Sequence, residues 1–187
     1  MPITTIFNGV TLADLEEEIQ EIYRADSYPW VVGYSGGKDS TATLQLVWYA
    51  LSKLPRDQLS KPVFIIASDT LVETPVIVDH IDENLKKMNE TAQKLGLPFQ
   101  AEKVTPRIDE TFWVNLIGRG YPAPTNRFRW CTDRMKIRPA NRFILDKVAQ
   151  YGEVVVVLGV RKAESMTRAQ VMSLHRIEGH RLRRHSQ

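Results

Sequence analysis

The chain has 187 residues, 43% of them hydrophobic, with a single cysteine and a formal net charge of +3. That is enough apolar material for one core-bearing domain, so the expectation is a single unit over residues 1–187. No apolar run reaches the ~18–20 residues that span a bilayer, the N-terminus MPITTIFNGVTLADLEEE lacks the basic start and apolar stretch of a secretory signal, and Cys131 alone makes neither an internal disulfide nor a complete zinc or iron-sulfur site; the chain reads as soluble and cytoplasmic, with no membrane partner.

Thr11 followed by Asp14 has the form of a helix start, and Leu12, Leu15, Ile19 and Ile22 then recur on one face with acids opposite. Trp30 to Tyr34 reads as a buried strand, and Leu44, Val47, Trp48 and Leu51 give helical spacing immediately after a Gly-Gly turn. Val63 to Ala67 is a second apolar strand. A long helix begins near Pro75, which suits a first turn, carries Ile77, Ile81, Leu85, Met88, Ala92 and Leu95 on one face, and stops at Gly96 and Pro98. Phe99 to Val104 reads as a third strand, Pro139 to Gln150 as another helix, and Glu153 to Val160, EVVVVLGV, as a fourth strand apolar on both faces. Strands buried on both sides and alternating with helices predict an α/β fold, a parallel sheet with helices on both faces.

Between the third strand and the next helix runs TPRIDETFWVNLIGRGYPAPTNRFRWCTDRMKIRP. A connection this long inside a compact domain is usually functional, and it follows a strand, which puts it at the carboxyl edge of the sheet where open α/β folds bind ligands. Lys103 to Arg142 contains nine basic residues against three acidic, and Arg161 to Gln187 seven against two. Two basic segments in a nearly balanced chain favour localised handling of a polyanion. Tyr121 to Trp130, with Arg119, Arg127, Arg129 and Lys136 around it, is the candidate for DNA contact through stacking and phosphate pairing, whereas Phe112, Trp113 and Leu116 have the spacing of residues that pack inward. His80, His175, His180 and His185 have no metal-ligand spacing and read as surface residues.

The stretch YSGGKDS, at the junction of the first strand and its helix, carries the most chemistry. A loop entering a helix presents unpaired amide protons at the positive end of the helix dipole, and Gly36 and Gly37 let an anion approach that backbone. Lys38 adds a full charge; Ser35 and Ser40 add hydroxyls. The Walker pattern fails, because Val32 stands five residues before Gly37 and Asp39 follows Lys38; the dinucleotide Gly-x-Gly-x-x-Gly pattern fails on the spacing of Gly33, Gly36 and Gly37.

What remains, Ser-Gly-Gly-Lys-Asp-Ser, resembles the pyrophosphate-binding loop of the N-type ATP pyrophosphatases, the superfamily that includes phosphoadenylylsulfate (PAPS) reductases and many thiolation enzymes. SDTLVETP (Ser68 to Pro75) resembles the element of PAPS-reductase-like proteins that lies against the nucleotide, RWCTDRMK their Cys-Thr-x-x-x-Lys element, and GVRKAESMTRAQ the element that places Arg161 and Arg168 against phosphates. Arginine forks match phosphate oxygens bidentately. The wording of FWVNLIGRGYPAP, FRWCTDRMKIRPANRFI and LGVRKAES further resembles the DndC family of DNA phosphorothioation ATP pyrophosphatases from Trp30 onward.

That resemblance implies a Rossmann-like fold of the adenine nucleotide alpha hydrolase (HUP) type and cleavage of ATP to AMP and pyrophosphate. It also implies DNA as acceptor, a cysteine desulfurase as sulfur donor, and other DNA phosphorothioation proteins as partners. Its implied site comprises Ser35, Gly36, Gly37, Lys38, Asp39, Ser40, Asp69, Thr70, Arg161 and Arg168 around ATP, with Lys38 and Arg161 acting on the phosphates and magnesium aided by Asp39 or Asp69. Cys131, among Arg129, Arg134 and Lys136, is a candidate sulfur acceptor. The family's iron-sulfur cluster would need cysteines beyond Cys131, and this chain, ending in GHRLRRHSQ, has none; truncation before a cysteine-rich region is the expectation. The competing readings are PAPS reduction or tRNA thiolation, and a non-enzymatic nucleotide-binding scaffold that docks a desulfurase.

Overall fold

The computed structural model describes residues 11–125 and 128–161. Helix α1, Leu12–Arg24, starts at a capping box in which the Thr11 side chain accepts from the Asp14 amide and Asp14 accepts from the Thr11 amide. Strand β1 is Trp30–Tyr34 and helix α2 is Lys38–Ser52. Strand β2, Val63–Ser68, leads to helix α3, Pro75–Leu95, which closes on Gly96 in the left-handed conformation. Strand β3, Phe99–Val104, leads into the long connection. This connection contains a π-type turn at Val114–Gly118, a short helical turn α4 at Trp130–Thr132 and a second π-type turn at Asp133–Ile137, which runs directly into helix α5, Arg138–Tyr151. Strand β4 is Val155–Val157.

The four strands among the described residues are all parallel, in the order β3-β2-β1-β4. Helices cover both faces. Val32, Ile65 and Ala101 face Leu44 and Val47 of α2, Ile81 and Leu85 of α3, and Tyr23 of α1, while Val31, Phe64 and Val104 face Phe143 and Ile144 of α5. Val31, Val32, Val63 and Ile65 are fully buried; removing each from water contributes ~1.5–3 kcal/mol, an upper range for the folded gain. Beneath this core, the Tyr23 hydroxyl donates to the Lys61 carbonyl at 2.6 Å, and the buried Lys61 ammonium pairs with Asp26 over the Tyr23 ring, tying α1 to the start of β2.

The structure departs from two of the sequence expectations. The fourth strand is three residues long rather than eight, and Val156 and Leu158 are 44% and 61% exposed. It lies at the edge of the sheet, paired only with β1 among the described strands, so its apolar character does not correspond to burial on both faces. Trp113, expected to pack inward, is 58% exposed. The π-type turn that begins at Val114 widens the helical period, and it is Asn115 that becomes fully buried there, with its side-chain amide donating to the Thr111 carbonyl and its own carbonyl accepting from the Tyr121 amide. Phe112 and Leu116 are half-buried.

Candidate functional site

The chain winds from β1 through β2 to β3 on one side and then returns to place β4 on the other side of β1. The loops leaving β1 and β4 therefore diverge at their carboxyl ends, and a crevice at such a switch point is where open α/β sheets take ligands. Residues 35–37 leave β1 at this point, and residues 158–161 leave β4 beside them.

Ser35, Gly36, Gly37 and Lys38 are all exposed. Gly36 has φ +71°, a left-handed conformation that a side chain would strain. Gly37 caps α2 through its backbone alone, with no side-chain hydrogen bond, so the amide protons of the first turn remain available to an anion. Ser40 is buried and braces the turn: its hydroxyl donates to the Gly37 carbonyl at 2.9 Å, accepts from the Ser35 amide at 3.2 Å and lies 3.0 Å from the Ser35 hydroxyl. Ser40 is thus occupied within the loop, and the Ser35 hydroxyl is held there as well, accepting from the Gly37 amide at 3.4 Å, while Lys38 is exposed.

The β4 loop packs tightly on this turn. A Cβ on Gly159 would lie 2.6 Å from the Asp39 carbonyl oxygen and 2.7 Å from Thr43 Oγ1, so only glycine allows the approach. Two residues later Arg161 Nε reaches Asp39 Oδ1 at 2.8 Å. Arg161 and Lys38, 123 positions apart in sequence, are brought to the same helix start. Arg168 lies outside the described residues.

Asp69 and Thr70, at the end of β2, are 5% and 2% exposed. Asp69 Oδ1 accepts from the Leu71 amide at 2.8 Å, Lys103 Nζ lies 3.4 Å from Asp69 Oδ2, and the Thr70 hydroxyl donates to Glu73 at 3.0 Å. Both carboxylates expected to assist magnesium already hold a cationic side chain, Arg161 on Asp39 and Lys103 on Asp69. Among the described residues no group of three or more His, Cys, Asp or Glu converges as a cage.

The long connection is built rather than loose. Glu110 accepts from Arg138 at 3.0 Å and from Arg142 at 2.6 Å, which fastens the connection to α5. Burial alone would raise the Glu110 pKa, but the hydrogen bonds and charges of Arg142 and Arg138 outweigh it and hold the carboxyl below its ordinary value. Trp130 is buried, stacked on Phe112 at 5.5 Å with Tyr121 edge-on, and its indole donates to the Pro122 carbonyl at 3.0 Å. Arg134 donates to the Tyr121 hydroxyl at 2.7 Å. Of the residues expected to contact DNA, Arg119 pairs with Asp109 at 3.6 Å, Arg129 and Lys136 are exposed, and Arg127 lies outside the described residues. Phe128 is 47% exposed and Cys131 is a half-buried free thiol on α4. His80 is exposed, and the other three histidines lie outside the described residues.

Sequence reasoning missed Glu110, Lys103 and the tight approach at Gly159. Only Gly159 left a signal, a glycine at a strand end two residues before an arginine. An open groove of about 240 Å³ lies between α2 and α3, lined by residues including Leu44, Trp48 and Met88, on the flank of the helices rather than at the loops. Its exposed lining is largely apolar, although Asn84 and Lys87 stand on it. Among the described residues, no helix is long and apolar enough to cross a membrane.

The fold is similar to that of NAD+ synthetase from Burkholderia pseudomallei, with a TM-score of 0.50 at 13% identity over 87% of this chain and 76% of that one. In sequence the chain is similar to an uncharacterized protein of Methanocaldococcus jannaschii, 29% identical over 158 residues, which are 84% of this chain and 28% of that protein. The chain thus spans little more than a quarter of that relative's length. The family model of the phosphoadenosine phosphosulfate reductase domain matches residues 29–182, a span that includes the loop, the β2 turn and Arg161. The chain belongs to the phosphoadenosine phosphosulfate reductase domain family.

Proposed function

We propose that the chain is an ATP pyrophosphatase that activates a backbone phosphate of DNA for replacement of oxygen by sulfur. The observation that carries this reading is the exposed, glycine-bearing start of α2, uncapped by any side chain, with Lys38 on it and Arg161 brought across from β4. Amide protons and two cations at one point suit the β- and γ-phosphates of a nucleoside triphosphate.

A non-bridging oxygen of the acceptor phosphate attacks the α-phosphorus of ATP, the bond from that phosphorus to the bridging oxygen breaks, and pyrophosphate leaves with the electron pair. Lys38, Arg161 and the loop amides stabilise the charge that grows on the departing pyrophosphate. Magnesium arrives with the triphosphate and shields its charge. Sulfur carried as a persulfide by a cysteine desulfurase then displaces AMP, and a second thiol cleaves the remaining sulfur-sulfur bond. The acceptor assignment rests on the DndC-like wording of the motifs and on the basic stretch around Arg119, Arg129 and Lys136.

Pyrophosphate release from MgATP in the presence of DNA tests the reading. The wild-type chain releases pyrophosphate, and Lys38→Ala loses at least about 10²-fold, the scale for removing one charge-stabilising donor. Binding of ATP without pyrophosphate release, with either DNA or tRNA supplied, would instead favour the scaffold reading. The family's description supports a second reading, in which phosphoadenylylsulfate occupies the same loop; preferential binding of that nucleotide over ATP distinguishes it.

A further inference from the structure

We propose that Lys103 is a positioning residue for the nucleotide site, holding the turn after β2 in the conformation that receives the nucleotide. The proposal rests on the reading of this edge of the sheet as the nucleotide site, and deepens it. Lys103 pairs in register with Ala67, two residues before Asp69, so both side chains rise on the face covered by α3. There the ammonium bridges two carboxylates, Asp69 at 3.4 Å and Asp82 of α3 at 2.8 Å.

Asp69 is the member at the site. It is 5% exposed, and a carboxylate so buried requires a compensating charge. Its other oxygen accepts from the Leu71 amide at 2.8 Å. The donor of that bond, Leu71, has φ +61°, the one left-handed non-glycine among the described residues. A side chain held there is strained, and the conformation persists only where the surroundings over-determine it. Here Asp69 fixes it from one side, and Thr70, bonded to Glu73, fixes it from the other. With Lys103 gone, Asp69 has no described cation beside it; it turns toward water, the Leu71 bond opens and the strained turn relaxes.

A purely structural role, tying β3 to α3, is separable from this one because Lys103 has two partners. Asp82→Asn weakens the tie to α3 and leaves the contact with Asp69, whereas Lys103→Met removes both, and Lys103→Arg keeps both. The test compares these variants of the full chain by ATP affinity, by the rate constant for pyrophosphate release at saturating ATP, by melting temperature and by hydrogen exchange at the Leu71 amide.

The expected result is that Lys103→Met weakens ATP binding about tenfold, equivalent to ~1.4 kcal/mol, changes the saturated rate less than about twofold and speeds exchange at Leu71. Lys103→Arg and Asp82→Asn stay within about twofold of wild type in affinity, even if Asp82→Asn melts earlier. Equal affinity losses in Asp82→Asn and Lys103→Met, tracking their melting temperatures, overturn the proposal, as does an unchanged affinity in Lys103→Met. A wild-type chain that does not bind ATP, but whose Leu71 exchange still depends on Lys103, overturns the nucleotide reading itself and this role with it.

Discussion

Substitution of Gly159 by alanine separates the geometry of the site from the stability of the fold. A Cβ at this position would lie 2.6 Å from the Asp39 carbonyl oxygen and 2.8 Å from its carbon, against the 3.4 Å at which ordinary contact begins. Besides the Thr43 hydroxyl at 2.7 Å, the neighbours are the Asp39 backbone in the first turn of α2, which cannot rotate away, so the strand end must withdraw by about 0.8 Å, the shortfall at the closest atom. Arg161, two residues further along, moves with it and leaves its 2.8 Å contact with Asp39. Misplacement of a phosphate-facing group by about 1 Å costs up to ~10²-fold in rate. Overpacking costs ~1–3 kcal/mol, and the low end applies because β4 pairs with β1 over only three residues; at ~2–4 °C per kcal/mol the melting temperature falls by a few degrees.

Gly33→Ala is the internal control. Its Cβ would come within 2.8 Å of Leu158 Cδ2, but that is the tip of a flexible side chain, 61% exposed, which swings aside without moving β4. Pyrophosphate release and thermal melting are measured on both variants. Gly159→Ala loses about 10- to 100-fold in release while remaining folded, and Gly33→Ala stays within about twofold. A Gly159→Ala variant with near wild-type release, or a Gly33→Ala variant equally impaired, refutes the claim that this close approach sets Arg161.

Glu110→Gln removes the charge that Arg138 and Arg142 share, and destabilises the chain by ~1.5–3 kcal/mol, read as an earlier denaturation midpoint. Because the folded carboxyl is held below its unfolded value, its contribution is complete above the unfolded pKa of ~4.3 and is lost as pH falls through the folded pKa; acid titration of stability therefore shows a steeper fall in wild type than in Glu110→Gln, and parallel curves contradict the assignment. Tyr23→Phe loses the hydrogen bond to the Lys61 carbonyl and costs ~1–1.5 kcal/mol by chemical denaturation, with ATP turnover unchanged. Trp113→Ala changes stability by less than ~0.5 kcal/mol, as befits an exposed side chain, where a core tryptophan would cost ~3–5 kcal/mol.

Local pattern made most of the fold legible. The strands Trp30–Tyr34 and Phe99–Val104 and the helix from Pro75 to the Gly96 stop are as periodicity and capping predict, and the Thr11–Asp14 box is formed as its spacing suggests. Such features depend on neighbours within one or two turns. The exposed glycine loop was legible for the same reason: it is a short motif between a strand and a helix. What escaped is set by distant partners. Glu110 meets Arg142 across 32 residues and Lys103 meets Asp69 across a strand pair, and neither pairing has any local periodicity. The run EVVVVLGV reported apolar residues faithfully but not its place at the edge of the sheet among the described strands, which is a property of topology. Trp113 escaped because the π-type turn shifts the helical phase on which its inward placement was inferred.

The most direct test of the central claim is the identity of the bond broken in ATP. With α-phosphate-labelled ATP, magnesium and DNA, the account predicts labelled AMP with an equal amount of pyrophosphate, and loss of both in Lys38→Ala. Labelled ADP with inorganic phosphate would place the attack at the γ-phosphorus and contradict a loop built to hold a departing pyrophosphate.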